Sequence, residues 1–230
     1  MEINKIYNLD VSVGLKEIPN ESIDLIVTDP PYLINYASNR SKDKDYKFSH
    51  EILNDTNNDL ISWYLHRCYE VLKNDCAAYV FCSSKTLDFF LQESKDAGFK
   101  VQNIIVWDKC AHTAGDLEHQ FGCQYEPLLL LNKGKAKIRG TRFSDVWQCP
   151  RVHSAVAVHQ NQKPLALIER CIESHSDKGN LVLDGFMGSG TTAVACIRTK
   201  RNFVGFELDK NYYEIAKKRI ETERSQPMLF

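Results

Sequence analysis

Residues 181–192 read LVLDGFMGSGTT, a short apolar run followed by a glycine-rich turn and the start of a second apolar segment. This pattern predicts a buried strand, a tight turn and a helix that begins near Ser189. Glycines in such a turn let the backbone approach a ligand closely, and free amides at a helix start attract a negatively charged group. The stretch therefore predicts an α/β fold with a ligand site at the turn.

Three kinds of site fit this turn: a phosphate loop, a dinucleotide fold, and a nucleoside site with a carboxylate at the helix end. A phosphate loop needs a lysine after its last glycine, whereas Gly190 is followed by Thr191 and Thr192, which disfavours ATP or GTP hydrolysis. Glu207 ends the next predicted strand, where an acid can accept both ribose hydroxyls of any adenosine-containing cofactor. The turn therefore indicates adenosine without identifying the cofactor.

Apolar strands and amphipathic helices alternate along the chain around this stretch. Strands are predicted at 23–28, 77–82, 101–107, 124–131, 180–184 and 203–207. Helices are predicted at 59–72, 85–97, 164–176, 189–200 and, with Asp209 as its cap, up to about residue 223. The alternation predicts a single α/β domain over residues 1–230, doubly wound, with a mostly parallel sheet. The polar residues 35–55 predict a mobile loop, and residues 108–161 predict a small irregular insert.

A second phrase, Asp29-Pro30-Pro31-Tyr32, follows the predicted strand 23–28. Open α/β sheets place their ligand crevice at such carboxyl ends, although Asp-Pro-Pro alone is also an ordinary turn signal. An exocyclic base amine is a poor nucleophile because its lone pair is delocalised into the ring. The Asp29 carboxylate and the Pro30 carbonyl could each accept one of its N–H bonds, and Tyr32 could stack on an extracted base.

Together the two phrases resemble the amino-methyltransferases of DNA, which carry D/N/S-P-P-Y/F at the active site and a D-x-F-x-G-x-G-like phrase for S-adenosylmethionine. The catalytic phrase comes first, as in the β class of that family, and Asp10, Gln162-Lys163-Pro164 and Phe206-Glu207 extend the resemblance. It implies methyl transfer from S-adenosylmethionine to a flipped base. Adenine N6 is favoured over cytosine N4 because the cytosine enzymes more often carry Ser at the position of Asp29.

The resemblance also implies roles for individual residues. The catalytic set is Asp29, Pro30, Pro31 and Tyr32. Within the cofactor set, Asp10 is expected to reach the adenine amine, Glu207 the ribose and Lys163 the methionine carboxylate. The glycine phrase supplies the remaining cofactor-binding residues, Asp184, Phe186, Gly188, Ser189, Gly190 and Thr191. The family often has H-P-T-Q-K-P where this chain has His159-Gln-Asn-Gln-Lys-Pro, a departure that leaves Lys163 in place.

Composition excludes several other classes of protein. The chain of 230 residues is 43% hydrophobic and 26% charged, close to the average of globular domains, so neither disorder nor a membrane protein is indicated. The sequence shows neither a bilayer-spanning apolar run nor a signal-peptide core, and we expect a cytoplasmic protein. The eight cysteines form no C-x-x-C pair and indicate reduced thiols. No metal site is expected, because the spacing of Cys110, His112, His119 and Cys123 matches none of the usual zinc patterns.

A net charge of −1 does not by itself indicate a nucleic-acid partner, but basic residues concentrate between Leu131 and Arg151. A charge run of this kind is also typical of a solvated face. We hypothesise that this run contacts double-stranded DNA and that residues 108–161 form the target-recognition region. The basic residues concerned are Lys133, Lys135, Lys137, Arg139, Arg142 and Arg151.

Alternative functions and further partners stay open at this point. A methyltransferase of RNA or of a protein amide more often has Asn at position 29, a nicotinamide-dependent oxidoreductase leaves 29–32 unexplained, and a non-catalytic DNA-binding subunit would not need both intact phrases. Homodimers are common in the family that the chain resembles. The tail Gln226-Pro-Met-Leu229-Phe230 resembles the Q-x-x-L-F peptide that docks on sliding clamps, although such a tail can instead pack on its own core.

Overall fold

The computed structural model describes residues 1–34, 57–112, 118–153 and 162–226. In this part of the chain one eight-stranded sheet carries helices on both faces. This architecture confirms the predicted α/β, doubly wound, mostly parallel fold. The loop predicted at 35–55 and the tail residues Leu229 and Phe230 lie outside the described residues.

The strands of the described chain are short, and most of them point the same way. In chain order they are β1 (Lys5–Tyr7), β2 (Ile23–Thr28), β3 (Leu72–Phe81), β4 (Lys100–Asp108), β5 (Tyr125–Lys133), β6 (Val146–Gln148), β7 (Leu181–Asp184) and β8 (Asn202–Phe206). Their spatial order is β1-β8-β7-β2-β3-β5-β4-β6, and β5 alone of these strands is antiparallel to its neighbours. From β2 the chain continues to β3 on one side in the sheet, and from β7 it continues to β8 on the other side. Folds of this kind place their ligand crevice at the boundary between two such strands, here β2 and β7.

The helices divide between the two faces of the sheet. They are α1 (Val11–Gly14), α2 (Asn58–Val71), α3 (Leu87–Asp96), α4 (Leu165–His175), α5 (Thr191–Thr199) and α6 (Lys210–Ser225). The first three contribute to one apolar core cluster and the last three to the other. None of the helices in the described ranges is both long and apolar enough to cross a membrane.

Strand β2 shows how the sequence builds both cores. Leu25 and Val27 pack into the cluster beneath α4–α6, whereas Ile26 packs into the cluster beneath α1–α3. All three are essentially inaccessible to solvent. Successive side chains of a strand point to opposite faces, so a strand covered on both faces needs an uninterrupted apolar run rather than an alternating one.

Most of the predicted elements are confirmed within a few residues, and Asp209 caps α6 by accepting the N–H groups of Asn211 and Tyr212. Four short elements escaped prediction: β1, α1, the 3-10 turn Leu15–Glu17 that follows α1, and β6 contain only three or four residues each. A hydrophobic period cannot be recognised over so short a stretch. The first half of β3 was also missed, because Lys73, Asn74 and Asp75 make it polar.

The segment predicted as an irregular insert, 108–161, contributes directly to the sheet. Strand β5 lies between β3 and β4, with Leu128, Leu129 and Leu131 fully buried, and β6 extends the sheet beside β4. The insert is therefore not peripheral as a whole. Within its described residues, the segments that lack helix or strand surround these two strands, for example 134–145.

Candidate active site

A cavity of about 430 Å³ opens at the edge of the sheet where the parallel strands end. Asp10 follows β1, Asp29 follows β2, Asp184 ends β7 and Glu207 follows β8. All four carboxylates line the cavity, and Lys163 reaches it from the segment before α4. The parallel arrangement thus gathers at one edge residues that are far apart in sequence.

Almost all of the predicted catalytic and cofactor residues meet in this cavity, and none of the predicted DNA-binding residues does. The lining residues among them are Asp10, Asp29, Pro30, Pro31, Tyr32, Lys163, Asp184, Phe186, Gly188, Ser189, Thr191 and Glu207. Gly190 is not among the lining residues. It precedes α5 with a φ of 84°, and a Cβ at this position would lie 2.9 Å from the Ala216 Cβ. Gly190 therefore allows α5 to pack against α6.

Glu207 presents a fixed carboxylate to the cavity. Its Oε2 accepts the N–H of Gly188 at 2.7 Å, and its Oε1 accepts the N–H of Asp209 at 2.8 Å. Burial raises the pKa of Glu207, while these two amide donors oppose the rise. Each carboxylate oxygen keeps further acceptor capacity, so the group can bind a pair of neighbouring hydroxyls.

Asp184 is the most deeply buried carboxylate of the site. Its Oδ2 accepts the Thr192 hydroxyl at 2.6 Å, and its Oδ1 accepts the N–H of Phe186 at 3.0 Å. Burial raises the pKa of Asp184 to about 7, against the lowering effect of these two hydrogen bonds. The partners are neutral groups, so this carboxylate can stabilise a cationic part of a ligand.

The hydroxyl groups at the start of α5 are held from α6. Arg219 donates to the Ser189 Oγ at 2.9 Å and to the Ser189 carbonyl at 2.6 Å, and its contact with the Thr191 Oγ1 is longer, at 3.4 Å. These contacts fix the conformation of the glycine turn. Ser189 and Thr191 therefore line the cavity with hydroxyl oxygens that accept from Arg219 and O–H groups that can still donate.

Asp29 lies at the centre of a hydrogen-bonded cluster. Its Oδ1 accepts the Tyr32 hydroxyl at 2.6 Å, and its Oδ2 forms an ion pair with the Lys163 Nζ at 2.7 Å. Burial raises the pKa of Asp29, and the nearby Lys163 ammonium partly offsets the rise. Burial and the Asp29 charge together raise the pKa of Tyr32 well above its usual value, so Tyr32 remains a hydroxyl donor.

Lys163 contacts the catalytic phrase directly. Its ammonium pairs with Asp29 and also lies 3.2 Å from the Glu126 Oε2 and 2.9 Å from the Tyr32 hydroxyl, in the cavity that the expected cofactor residues also line. Its expected position near the methionine carboxylate stays a prediction. The side chain is 6% exposed, and its charge is balanced within the catalytic cluster. Lys163 thus belongs to the surroundings of Asp29 in the free protein.

Two residues of this cluster escaped the sequence prediction. Glu126 is the second residue of β5, and Lys109 follows β4; their side chains form an ion pair at 3.2 Å. The available sequence signal for Glu126 was a charged residue inside the apolar strand phrase 124–131. That signal indicates a site residue only when β5 is known to lie beside β3, because this placement brings Glu126 to the cavity.

The first residue of the predicted DNA-binding run, Lys133, is a structural residue. Its Nζ donates to the carbonyl oxygens of Tyr69 and Leu72, at 3.0 and 2.8 Å, and lies 3.3 Å from Glu21. The residue is buried, so its ammonium compensates groups of the protein itself. Contact of Lys133 with DNA stays a prediction, and in this structure its ammonium has its partners within the protein.

The antiparallel direction of β5 carries most of the basic run away from the cavity. The run starts at the carboxyl end of β5, which is the edge of the sheet opposite the cavity. There the backbone N–H of Lys135 donates to Asp75, and Arg139 pairs with Asp177 at 2.8 Å. Lys137 lies between these two residues and Arg142 precedes β6, whereas Arg151 follows β6 and is exposed on the cavity edge.

A sequence profile of the DNA methylase family matches residues 23–218 of the chain. The type II methyltransferase M.HpaI of Haemophilus parainfluenzae is 30% identical, over 91% of this chain and 72% of that protein. The DNA adenine methyltransferase YhdJ of Escherichia coli (strain K12) is 29% identical, over 96% of this chain and 83% of that protein. The similarity therefore includes both the catalytic and the cofactor phrase.

Solved structures show the same fold. The M1.HpyAVI–SAM complex superposes with a TM-score of 0.74 and 25% identity, over 94% of this chain and 98% of that one. The cytosine-N4-specific PvuII DNA methyltransferase superposes with a TM-score of 0.76 at 18% identity, over 94% of this chain and 85% of that one, a similarity of fold alone. Fold, cavity and sequence match agree: the chain belongs to the DNA methylase family and is an S-adenosylmethionine-dependent DNA amino-methyltransferase.

Proposed function

We propose that the protein methylates adenine N6 in double-stranded DNA, with Asp29, Pro30 and Tyr32 acting on a base flipped into the cavity. The observation that carries the proposal is the position of Asp29. Its carboxylate shares one cavity with the glycine turn and with Glu207, so a base amine held by Asp29 would lie beside a cofactor held by the turn. In-line transfer requires such a close approach of the two reactants.

Asp29 and Pro30 have the chemistry that an exocyclic amine needs. The carboxylate accepts one N–H and the Pro30 carbonyl accepts the other, which favours localisation of the nitrogen lone pair. A carboxylate is much too weak a base to deprotonate the neutral amine beforehand. The proton therefore leaves as the methylated cation forms, when a carboxylate with a raised pKa is a suitable acceptor.

The cofactor half of the cavity fits S-adenosylmethionine, which supplies an electrophilic methyl group when it is bound. Glu207 would accept the ribose hydroxyls, and Asp10, which already caps α1, would reach the adenine amine. Asp184, a buried carboxylate with neutral partners, suits the ammonium of the methionine part. Phe186 and the backbone of the glycine turn would enclose the remaining part of the ligand.

DNA would approach the sheet edge on which the cavity opens. Tyr32 supplies an aromatic face for the flipped base, which compensates part of the few kcal/mol that extraction costs. Exposed residues that follow strands at this edge, or that lie before or at the start of β5, are suited to contact the duplex; they include Phe121, Tyr125 and Arg151. We propose that the target-recognition region consists of the parts of 108–161 that reach this edge of the sheet.

Adenine is preferred because Asp stands at position 29, where cytosine-N4 enzymes of the family more often carry Ser. A relative that aligns over nearly the whole chain is named a DNA adenine methyltransferase. The PvuII enzyme, which is cytosine-N4-specific, shares the fold at lower identity. Cytosine N4 is therefore the second candidate, because the two amines have similar chemistry.

Mass spectrometry of the product distinguishes these functions. Duplex DNA of mixed sequence is incubated with the protein and methyl-deuterated S-adenosylmethionine, hydrolysed to nucleosides and analysed. We expect deuterated N6-methyldeoxyadenosine, with none formed when the cofactor is left out. Deuterated N4-methyldeoxycytidine would support the second candidate, and unmodified DNA would support a non-catalytic DNA-binding subunit.

Three sequence-based predictions concern the protein's context in the cell. A DNA substrate and a bacterial type of modification enzyme are consistent with a cytoplasmic location. Homodimerisation remains a prediction from the family resemblance. Docking on a sliding clamp also remains a prediction, since of its three residues only Gln226 lies in the described part of the chain, at the end of α6.

A further inference from the structure

Four charged side chains and one hydroxyl form a closed network beside the predicted base site. Lys163 contacts both Asp29 and Glu126, at 2.7 and 3.2 Å, while Lys109 contacts Glu126 from the other side at 3.2 Å. The Tyr32 hydroxyl lies between the two carboxylates, 2.6 Å from Asp29 and 3.1 Å from Glu126. Two carboxylates thus face two ammonium groups.

The Lys163 ammonium has little contact with solvent, so its charge acts mainly on these neighbours. The rings of Tyr32, Phe81 and Trp107 surround it at 5.0–5.8 Å from their centroids. Electrostatic interactions are strong in such a setting because water does not screen them. The amount of positive charge that Asp29 experiences therefore depends on how far Glu126 shares the ammonium.

We propose that Glu126 is a positioning residue for methyl transfer: it shares the Lys163 ammonium with Asp29 and thereby keeps Asp29 a strong acceptor for the target amine. The proposal rests on the proposed function of Asp29. Lys109 completes the arrangement by neutralising the second oxygen of Glu126. Without Glu126, Lys163 would pair with Asp29 alone and compete with the amine for its oxygen atoms.

The directions of the pKa shifts agree with this role. Burial raises the pKa of Asp29, the Lys163 ammonium lowers it, and the Glu126 charge raises it. Burial also disfavours the charged form of Glu126, but Lys163 and Lys109 more than compensate, so its pKa is lowered and it stays ionised. The carboxylates are therefore unequal: Glu126 holds the cations, and Asp29 retains the higher affinity for a proton.

Other titratable groups near Asp29 are distinguishable from it. Burial raises the pKa of Cys82 to about 12, and Tyr32 also remains protonated, so neither group changes charge at moderate pH. Asp184 has a pKa raised to about 7 by burial, but its hydrogen-bond partners are Thr192 and Phe186. Glu126 is not among the groups that shift the pKa of Asp184, so a substitution at Glu126 should act directly on Asp29 and on Asp184 only through the Asp29 charge, which contributes to the raised pKa of Asp184.

The experiment follows the pH dependence of kcat/KM, which reports groups of the free enzyme, together with the Asp29 carboxyl carbon by NMR. Glu126→Gln should lower the pKa of Asp29, move the acid limb of the profile to lower pH and leave S-adenosylmethionine affinity unchanged. Because proton acceptance follows Brønsted behaviour, kcat should fall by up to about tenfold per unit of pKa lost. Lys163→Gln should move the Asp29 titration in the opposite direction.

Two further variants control for stability and for general charge effects. Lys109→Gln combined with Glu126→Gln removes one ion pair as a unit, leaves no unpaired Lys109 ammonium and should reproduce the shift to lower pH. Asp177→Asn removes a carboxylate from the opposite edge of the sheet and should leave the profile unchanged. A purely structural role of Glu126 would reduce activity or stability without opposite shifts in the two single variants.

The two readouts separate the possible failures. An Asp29 titration that does not move in Glu126→Gln, or in the double variant if the single variant does not fold, would overturn the inference. An Asp29 titration that moves in the expected directions while wild-type protein leaves DNA unmethylated would instead contradict the proposed function. Shifts of the titration and of the acid limb together support both.

Discussion

Two carboxylates in the cofactor half of the cavity differ in the groups that hold them. Glu207 is oriented by two backbone amides, whereas Asp184 accepts a hydroxyl and one amide at the end of β7. Glu207 therefore suits neutral hydroxyl groups, while Asp184 suits a cation. Cofactor affinity therefore tests the role of Glu207, and the pH dependence of stability tests the burial of Asp184.

Replacing Glu207 with Ala should weaken S-adenosylmethionine binding by about 1–3 kcal/mol, because two ribose hydroxyls lose their acceptor. The N–H groups of Gly188 and Asp209 also lose theirs, which loosens the turn. Titration calorimetry measures the loss directly. Glu214→Ala, an exposed glutamate on α6, is the matched control and should leave affinity unchanged. Equal affinity in the two variants would move the ribose site elsewhere.

Asp184 should make the ligand-free protein less stable as the pH rises. Its folded-state pKa of about 7 lies above the ordinary value of 3.8, so its contribution to stability is complete below pH 4 and is lost as the pH passes through 7. Asp184→Asn removes this titration. Thermal unfolding at pH 5 and pH 8 should show the wild type losing stability relative to the variant, by an amount on the order of a few kcal/mol. A stability difference between wild type and variant that is the same at pH 5 and pH 8 would contradict the raised pKa of Asp184.

The sequence was informative for residues that lie within contiguous phrases. Asp29, Tyr32, Glu207 and the glycine turn could be found because each phrase combines a strand end with a distinctive set of residues. Glu126 could not be found in this way, since a single charge in a strand gains meaning only from its neighbours in the sheet. Lys163, the cation nearest Asp29, was predicted to bind the cofactor, whereas its contact with Glu126 was not predictable.

At the level of elements, the direction of β5 decides which basic residues lie on the cavity edge of the sheet, where we propose that DNA binds. Its antiparallel course takes Lys135 and Lys137 to the edge opposite the cavity, while Arg151 after β6 lies on the cavity edge. The basic composition of the run was readable from the sequence. The direction of the strand was not, because parallel and antiparallel strands of a buried sheet have the same apolar pattern.

Charge reversal should therefore act differently at the two edges. Arg151→Glu should weaken DNA binding and reduce the salt slope by about 0.9 for one lost phosphate contact. Lys135→Glu together with Lys137→Glu should leave both the affinity and the slope unchanged. Binding isotherms at several salt concentrations measure both quantities. A larger effect from the lysine pair than from Arg151 would place the DNA at the opposite edge of the sheet.

The junction between the glycine turn and α5 depends on close packing. Gly190→Ala combines a strained positive φ, which costs about 1–2 kcal/mol, with overlap against Ala216, which adds about 1–3 kcal/mol. Gly179→Ala, with a φ of 85° and no atom within 4 Å of the added Cβ, has the strain alone. Urea unfolding should therefore show the larger loss for Gly190→Ala. Equal losses would mean that α6 can yield to the extra methyl group.

For the whole molecule, the alternation of strands and helices was sufficient to predict a doubly wound sheet. It was insufficient for the strand order, because β5 inserts between β3 and β4 without any local sequence signal. The order is nevertheless what creates the site. It brings the ends of β1, β2, β7 and β8 together with the start of β5 around one cavity. The catalytic and cofactor phrases thus become neighbours despite their separation in the chain.

The claim that this cavity is the catalytic site is tested most directly by the Asp29→Ala variant. Methyl transfer to duplex DNA and S-adenosylmethionine affinity are both measured for this variant. Asp29→Asn serves as a companion variant that keeps the shape of the side chain, and thermal unfolding verifies that both variants fold. We expect transfer to fall at least about a hundredfold while cofactor affinity stays at the wild-type value, because Asp29 acts on the target amine. Full transfer by Asp29→Ala would contradict the assignment of this cavity as the catalytic site.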